Sequence, residues 1–265
     1  MLQKETVIQN KKVAIRSVNR LLESYVNSGD PKLLKKANLM SYWLKTFSDY
    51  VGFEDKFDSK KLISYTRGSV IRVNFGFNVG KEFGGLHFAV VLDNDNKQSA
   101  DVLSVVPLSS TDGKEVHERS VDLGMELYEK VSATQESLLK KAKEELEEIQ
   151  KAKDALTKTL ELVNLCGQAE GDEEQVNPIS KIMEYKIEIE EKSEVLKKEL
   201  EIIERNNNEI SKMKSGSMAV TNQITTISKQ RIFTPKKAQD FLYGIALSTS
   251  AMEKINEKIV ELYCR

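Results

Sequence analysis

The stretch that decides the fold is RGSVIRVNFGFNVGKEFGGLHFAVVLDND, residues 67–95. Residues 70–75 alternate with the period of two that is typical of a β-strand with two different faces. A double glycine then precedes the apolar run 88–92, which ends at turn residues and has the composition of a buried strand. The stretch therefore predicts two short strands with a glycine-rich loop between them.

Further strand patterns follow along the chain. The runs ADVLSVVPLSS (100–110) and VHERSVDLG (116–124) come with no helical pattern between them, and strand composition returns in SMAVTNQITTISKQRI (217–232). Short strands at this spacing predict a small antiparallel sheet or barrel.

Composition restricts the classes of function. The 40 basic residues nearly balance 41 acidic ones, so no global field attracts nucleic acid and such binding needs a local basic patch. The two cysteines are far apart and have no CxxC or Cys/His spacing, which argues against a disulfide framework or a zinc site. The sequence has neither a signal-peptide core nor an apolar run of bilayer length, so we expect a cytoplasmic protein without membrane contact.

Residues 1–62 predict an N-terminal helical extension. Asp30 is the expected N-cap of its second helix, with Pro31 at the first helical position, where a missing N–H costs nothing. Trp43 lies inside that helix, and we interpret it as a packing anchor. The apolar stripe of the first helix contains Val13, Val18, Leu21, Leu22 and Val26.

Residues 125–212 predict a coiled-coil helical hairpin. In the first arm Leu139, Leu146 and Leu160 recur at sevens, with Lys153 in the missing place, which is a heptad pattern. The tip is expected near 167–178, and each arm of about 34 residues would be about 50 Å long. The pattern leaves open whether the arms pair within or between chains. The second arm repeats Ile182, Ile189, Leu196, Ile203 and Ile210.

The predicted fold class is therefore α+β, with a small antiparallel barrel interrupted by the hairpin and preceded by helices. The barrel is expected at 63–124 and is completed at 213–265, where a C-terminal helix closes the chain. Ser250 and Glu253 predict a capping box at the start of that helix.

Two segments together resemble the PemK/MazF family of toxin ribonucleases. Segment 67–95 is similar to the family's opening, and the matching residues are Arg67, Gly68, Ser69, Val70, Gly80, Glu82, Gly84 and Gly85. Segment 217–232 resembles the family's late strand pair, with matches at Ile224, Thr226, Ile227, Lys229, Arg231 and Ile232. The resemblance covers 65–123 and 215–263, and it leaves out the N-terminal helices and the hairpin.

The resemblance implies an SH3-like barrel that forms a homodimer and cleaves single-stranded RNA without a metal or a cofactor. The RNA's own 2′-hydroxyl would attack and leave a 2′,3′-cyclic phosphate. It also implies a separate antitoxin protein as a partner.

The site residues follow from the family motif, with substitutions. His87 stands where the family has an arginine, Phe88 where it has a proline, and Ser109 where it has a threonine. A histidine, with an ordinary pKa of about 6.5, suits proton transfer but is mostly uncharged at neutral pH. We predict that His87 and Ser109 are catalytic. The predicted substrate-binding residues are Lys81, Glu82, Thr226, Lys229 and Arg231.

Alternatives remain open at this point. His87 could be a strand-end histidine that hydrogen bonds to backbone, and Ser109 could be an ordinary turn residue. The chain would then be a catalytically inactive interaction protein that works through its coiled coil. Related barrels include a toxin that poisons gyrase by binding, with no nuclease activity.

Overall fold

The computed structural model describes residues 3–111, 113, 115–166 and 178–264. The chain forms two compact units, Met1–Leu108 with Val220–Lys236 and Ser109–Ala219 with Lys237–Arg265. None of the described helices combines the length and the apolar character needed to cross a membrane.

Five helices and seven strands lie in the described residues. In chain order the helices are α1 (Lys4–Val26), α2 (Pro31–Phe53), α3 (Glu126–Cys166), α4 (Pro178–Ile210) and α5 (Thr249–Tyr263). The strands are β1 (Val70–Asn74), β2 (Leu86–Val91), β3 (Val102–Ser110), β4 (Val121–Gly124), β5 (Ser217–Ala219), β6 (Thr225–Ser228) and β7 (Ile232–Thr234). This arrangement confirms the predicted α+β class.

The sheet of the first unit is antiparallel throughout and runs in the order β6-β3-β2-β1-β7. A single 3₁₀ turn, Lys229–Arg231, joins β6 to β7 and so brings the two ends of this order together. Ile227 of β6 and Ile232 of β7 belong to the same core cluster. The sheet therefore curls into the small barrel that the sequence predicts.

The barrel core is made by apolar side chains from every strand of this unit. Burial of one such Val, Leu or Ile side chain stabilises the fold by about 1.5–3 kcal/mol, so the cluster dominates the stability of the unit. Phe83 from the β1–β2 loop packs against it. The buried members are Tyr65, Ile71, Val73, Phe75, Ala89, Val91, Leu103, Val105, Ile227 and Ile232.

The N-terminal extension consists of two helices, as predicted. Asp30 caps α2, because its carboxylate accepts a hydrogen bond of 2.8 Å from the backbone N–H of Lys32. The predicted apolar stripe of α1 is only partly covered within the described residues: Val18 and Leu22 are half-buried, and no residue of α1 is fully buried.

Lys229 is the one lysine in the described core. Its side chain is 1% exposed, and Nζ donates to the backbone carbonyls of Lys97 (3.0 Å) and Gln98 (3.2 Å). The ammonium also lies 6.0 Å from the centre of the Tyr65 ring. Burial lowers the pKa of Lys229, and Asp101 and Asp93 partly offset that effect. Lys229 thus ties the β2–β3 loop to the 3₁₀ turn.

The second unit is built on the helical hairpin. The arms α3 and α4 pack on each other within the chain, with Ala142, Leu196 and Ile203 buried at their seam. These are heptad positions, so the predicted hairpin is confirmed. At 41 residues α3 is about 60 Å long, which is longer than the predicted arm. Of the predicted tip at 167–178, residues 167–177 lie outside the described residues, and Pro178 begins α4.

The capping box predicted at Ser250 is wrong. The N-cap of α5 is Ser248, whose hydroxyl accepts a hydrogen bond from the backbone N–H of Ala251 (3.1 Å). The same hydroxyl donates to the carboxylate of Glu126 (3.0 Å), so this cap also joins α5 to the start of α3. A contact with a residue so distant in sequence cannot be read from a local motif.

We expect Lys229→Met to destabilise the protein although methionine nearly matches the length of lysine. The substitution removes the ammonium and leaves two loop carbonyls without their donor, which costs about 1–3 kcal/mol. Urea unfolding followed by circular dichroism measures this loss. Lys35→Met, on the exposed surface of α2, is the control and should change the free energy of unfolding by less than about 0.5 kcal/mol. Equal effects of the two substitutions would show that the buried ammonium has no structural role.

Candidate functional site

The loop between β1 and β2 is closed by its own hydrogen bonds. The backbone N–H of Phe75 donates to the carbonyl of Gly85 (2.8 Å), and the backbone N–H of Gly85 donates to the carbonyl of Gly76 (2.7 Å). The Asn78 amide crosses the loop and donates to the carbonyls of Phe75 and Phe83. The loop is therefore a defined structure that fixes the start of β2.

His87 is the second residue of β2 and pairs with Val73 of β1. Its imidazole is half-buried and meets the Phe83 ring edge-on, with the ring centroids 4.7 Å apart. No group among the described residues hydrogen bonds to the imidazole of His87. Its ring nitrogens therefore have no structural partner in this part of the chain, which does not fit the alternative of a histidine tied to backbone.

The surroundings of His87 favour the neutral imidazole. Burial lowers its pKa from 6.5, and the positive charge of Arg72 lowers the pKa further. A neutral imidazole has an acceptor nitrogen and can take a proton from a hydroxyl group. At neutral pH these surroundings therefore favour an uncharged His87 side chain over a positive charge.

His87 lines an open cleft of about 540 Å³ whose described walls come entirely from the first unit. One wall is the β1–β2 loop, and the other is a face of α2. The loop and the start of β2 contribute Asn78, Glu82, Leu86 and His87, and α2 contributes Leu39, Tyr42, Trp43 and Thr46.

Trp43 holds α2 against the loop. Gly76 has a φ of +86°, and a Cβ there would lie 2.6 Å from the indole, so only a glycine lets the ring approach this closely. The guanidinium of Arg231 lies 5.3 Å from the centre of the Trp43 ring, and its Nε donates to the carbonyl of Asn74 (2.8 Å). The interpretation of Trp43 as a packing anchor agrees with these contacts.

The predicted substrate-binding residues occupy different environments. Glu82 lines the cleft, and its carboxylate accepts a hydrogen bond from the backbone N–H of Val79 (3.2 Å). Lys81 is exposed beside it on the loop. Arg231 contacts Trp43 and Asn74, which both line the cleft. The structure therefore brings Glu82 to the cleft and Arg231 to two of its lining residues, while Lys81 is near only as the sequence neighbour of Glu82.

The remaining predicted residues lie elsewhere. Thr226 is exposed on β6, where it pairs with Ser104 of β3. Lys229 is buried, and its ammonium is directed at loop carbonyls, which leaves it no access to a substrate in this conformation. Ser109 is half-buried near the end of β3 and belongs to the second unit.

The α2 wall of the cleft was not predicted from the sequence. Leu39, Tyr42, Trp43 and Thr46 follow helical spacing, and that spacing indicates a shared face. The spacing does not indicate which part of the protein this face of α2 contacts. The only signal was the lone Trp43 within that face.

Within the described residues, no three His, Cys, Asp or Glu side chains come together in a way that could hold a metal ion. The fold is thus a small β-barrel with helical additions. Its cleft contains the imidazole of His87, which has no hydrogen-bond partner among the described residues.

Comparison with known families gives a match for the first part of the barrel, strands β1 to β4, and for part of α3. Residues 66–161 match the family described as PemK-like, MazF-like toxin of type II toxin–antitoxin system. The resemblance predicted at 65–123 is thereby confirmed for residues 66–123, the match extends further into α3, and the predicted second segment, 215–263, lies outside it. At the level of the family, the match supports a toxin–antitoxin endoribonuclease with an RNA substrate and an antitoxin partner. No curated protein matches the chain.

We expect the imidazole of His87 to titrate below pH 6.5. Proton NMR of the imidazole C–H signals as a function of pH measures this midpoint. The chain has two histidines, so His117→Ala assigns the signals. Arg72→Met should raise the midpoint, because it removes a positive charge that opposes protonation. A midpoint at or above 6.5 would contradict the described environment.

The lowered pKa of His87 also predicts the direction in which the stability of the fold changes with pH. The folded state binds this proton less tightly than the unfolded state does, so protonation favours unfolding. The contribution of His87 to stability is therefore present above pH 6.5 and is lost as the pH falls through the folded-state pKa.

We expect Gly76→Ala to loosen α2 from the loop, because the added methyl group collides with the indole of Trp43. Gly80→Ala is a matched control, since Gly80 also has a positive φ (+64°) but has no atom near the added Cβ. Only Gly76→Ala should shift the emission maximum of Trp43 to longer wavelength. Identical spectra for the two variants would mean that the indole does not depend on Gly76.

Proposed function

We propose that the chain is a metal-independent endoribonuclease that cleaves single-stranded RNA and leaves a 2′,3′-cyclic phosphate. The observation that carries this proposal is His87, a half-buried imidazole without a hydrogen-bond partner among the described residues, in an open cleft of the barrel. A structural histidine normally has its ring nitrogens satisfied. A free one in a cleft suits acid–base work.

In the proposed reaction, the acceptor nitrogen of His87 takes the proton of the RNA 2′-hydroxyl. The 2′-oxygen then attacks the neighbouring phosphorus atom and forms the cyclic phosphate. The bond from phosphorus to the 5′-oxygen breaks, the leaving oxygen takes up a proton from solvent water, and His87 releases its own proton to solvent. A general base of this kind contributes about 10²–10⁴-fold to the rate.

The phosphate also needs a positive charge that an uncharged His87 does not supply. Arg231 is our candidate, because it is half-buried and held beside the cleft by Trp43 and the carbonyl of Asn74. Lys81, exposed on the loop, is the second candidate. Lys229 is left out of this role because its ammonium is buried.

We test the proposal with purified protein, a mixed-sequence single-stranded RNA and EDTA. Wild-type protein should cleave the RNA, and the new 3′ ends should carry cyclic phosphate. His87→Ala should lower the rate about 10²–10⁴-fold. The rate of the wild type should rise as the pH rises through the pKa of His87, because the base must be unprotonated.

His117→Ala is the control, because His117 is the other histidine and is exposed. It should cleave at the wild-type rate. Ser109→Ala, in the same assay, tests the separate prediction that Ser109 takes part in catalysis. Cleavage by His87→Ala at the wild-type rate would remove His87 from the mechanism.

Two further parts of the proposal concern partners. We propose that the chain forms a homodimer and is inhibited by a separate antitoxin. Light scattering after size exclusion tests the dimer. No cleavage by folded protein with no antitoxin bound would instead favour a catalytically inactive interaction protein.

A further inference from the structure

The helix α2 presents an aromatic face to the His87 cleft. Leu39, Tyr42, Trp43 and Thr46 form this α2 wall, and the Tyr42 ring projects from it with 66% of the residue exposed. The hydroxyl of Thr46 donates to the backbone carbonyl of Tyr42 (2.9 Å), so its proton is engaged within the helix. The wall therefore offers mainly apolar and aromatic surface to a ligand.

The facing loop wall differs in character. Leu86 adds apolar surface that is 39% exposed, while Glu82 and Asn78 add polar groups. The Asn78 amide nitrogen already donates to two backbone carbonyls, so its oxygen is the group left to accept. The carboxylate of Glu82 is likewise an acceptor. This wall therefore suits a ligand that carries N–H donors along its edge.

A nucleobase has the matching properties. Its two faces are flat and apolar, and its edge carries N–H donors. The cleft of about 540 Å³ lies within the range of sites that hold small ligands. The guanidinium of Arg231, next to Trp43, adds positive charge near the cleft for the backbone of a nucleic acid.

We propose that the α2 wall is a base-binding subsite, in which an unpaired nucleobase stacks on Tyr42 beside His87. The ligand class is single-stranded RNA, and for that substrate the inference rests on the proposed function. The N-terminal extension then supplies part of the substrate site. An apolar peptide would also fit the aromatic wall, but it lacks the flat base and the phosphates that the ring of Tyr42 and the charge of Arg231 suit.

The chain carries its own probe for this subsite. Trp43 is the only tryptophan in the sequence, and it lines the same cleft. A base that stacks on Tyr42 should therefore quench the emission of Trp43. The RNA for the titration is a mixed-sequence single strand with 2′-O-methyl sugars, since the blocked hydroxyl prevents the proposed cleavage while binding is measured.

We expect the single strand to quench Trp43, and an abasic strand of the same length to quench it far less. Tyr42→Ala should weaken binding about tenfold or more, because loss of one base–aromatic stack has effects of this size. Tyr42→Phe, which keeps the ring, should bind like the wild type. Tyr185→Ala is the matched control, because Tyr185 lies on α4 with a similar exposure of 61% and should leave binding unchanged.

The outcomes separate this inference from the proposed nuclease. Equal affinity of Tyr42→Ala and the wild type, measured by anisotropy of labelled RNA, would overturn the subsite even if the protein cleaves RNA. Equal affinity for a duplex of the same sequence would also overturn it, since stacked bases cannot enter the cleft. Binding that depends on Tyr42, in a protein that cleaves no RNA, would support the subsite and contradict the nuclease. No binding of any strand would overturn the subsite.

Discussion

The pairing of β1 with β2 is the interaction on which the rest of the site depends. The register that sets Val73 opposite His87 places the imidazole at the end of the barrel core, against Phe83. The hydrogen bond from Gly85 to the carbonyl of Gly76 then closes the loop just before the strand begins. A shift of one residue would move His87 to the other face of the sheet, away from Phe83.

His87 stands where the PemK/MazF family has an arginine. This difference changes which charges the proposed site needs from neighbouring residues. An arginine stays charged in almost any environment, whereas burial and the charge of Arg72 lower the pKa of His87. In the proposed reaction a histidine therefore suits proton transfer, and other groups would have to stabilise the charge on the phosphate. Arg231 is the residue of the first unit that we propose for this charge. It lies in the turn between β6 and β7, far from His87 in the sequence.

Features with a local period were predictable, and those set by distant contacts were not. The hairpin and the barrel strands could be predicted because their signals are patterns of nearby residues. These patterns are the heptad repeats that contain Leu139 and Ile203 and the alternation at 70–75. Lys229 was predicted to bind substrate because it matches the family motif. In the structure its ammonium donates to two carbonyls of the β2–β3 loop, a contact that the motif does not encode. The cap at Ser248 and the α2 wall likewise depend on packing that spacing alone does not encode.

The start of α3 has a mechanical consequence. The helix begins two residues after β4 ends, and Glu126 in its first turn is held by Ser248 and Lys130. Burial alone would raise the pKa of Glu126, but the hydrogen bonds from these partners outweigh it and keep the carboxylate ionised. A helix about 60 Å long is thus anchored at its first turn. A rotation of about 5° at that turn would carry the far end through about 5 Å, so the hairpin can convert a small tilt at one end into a large displacement at the other.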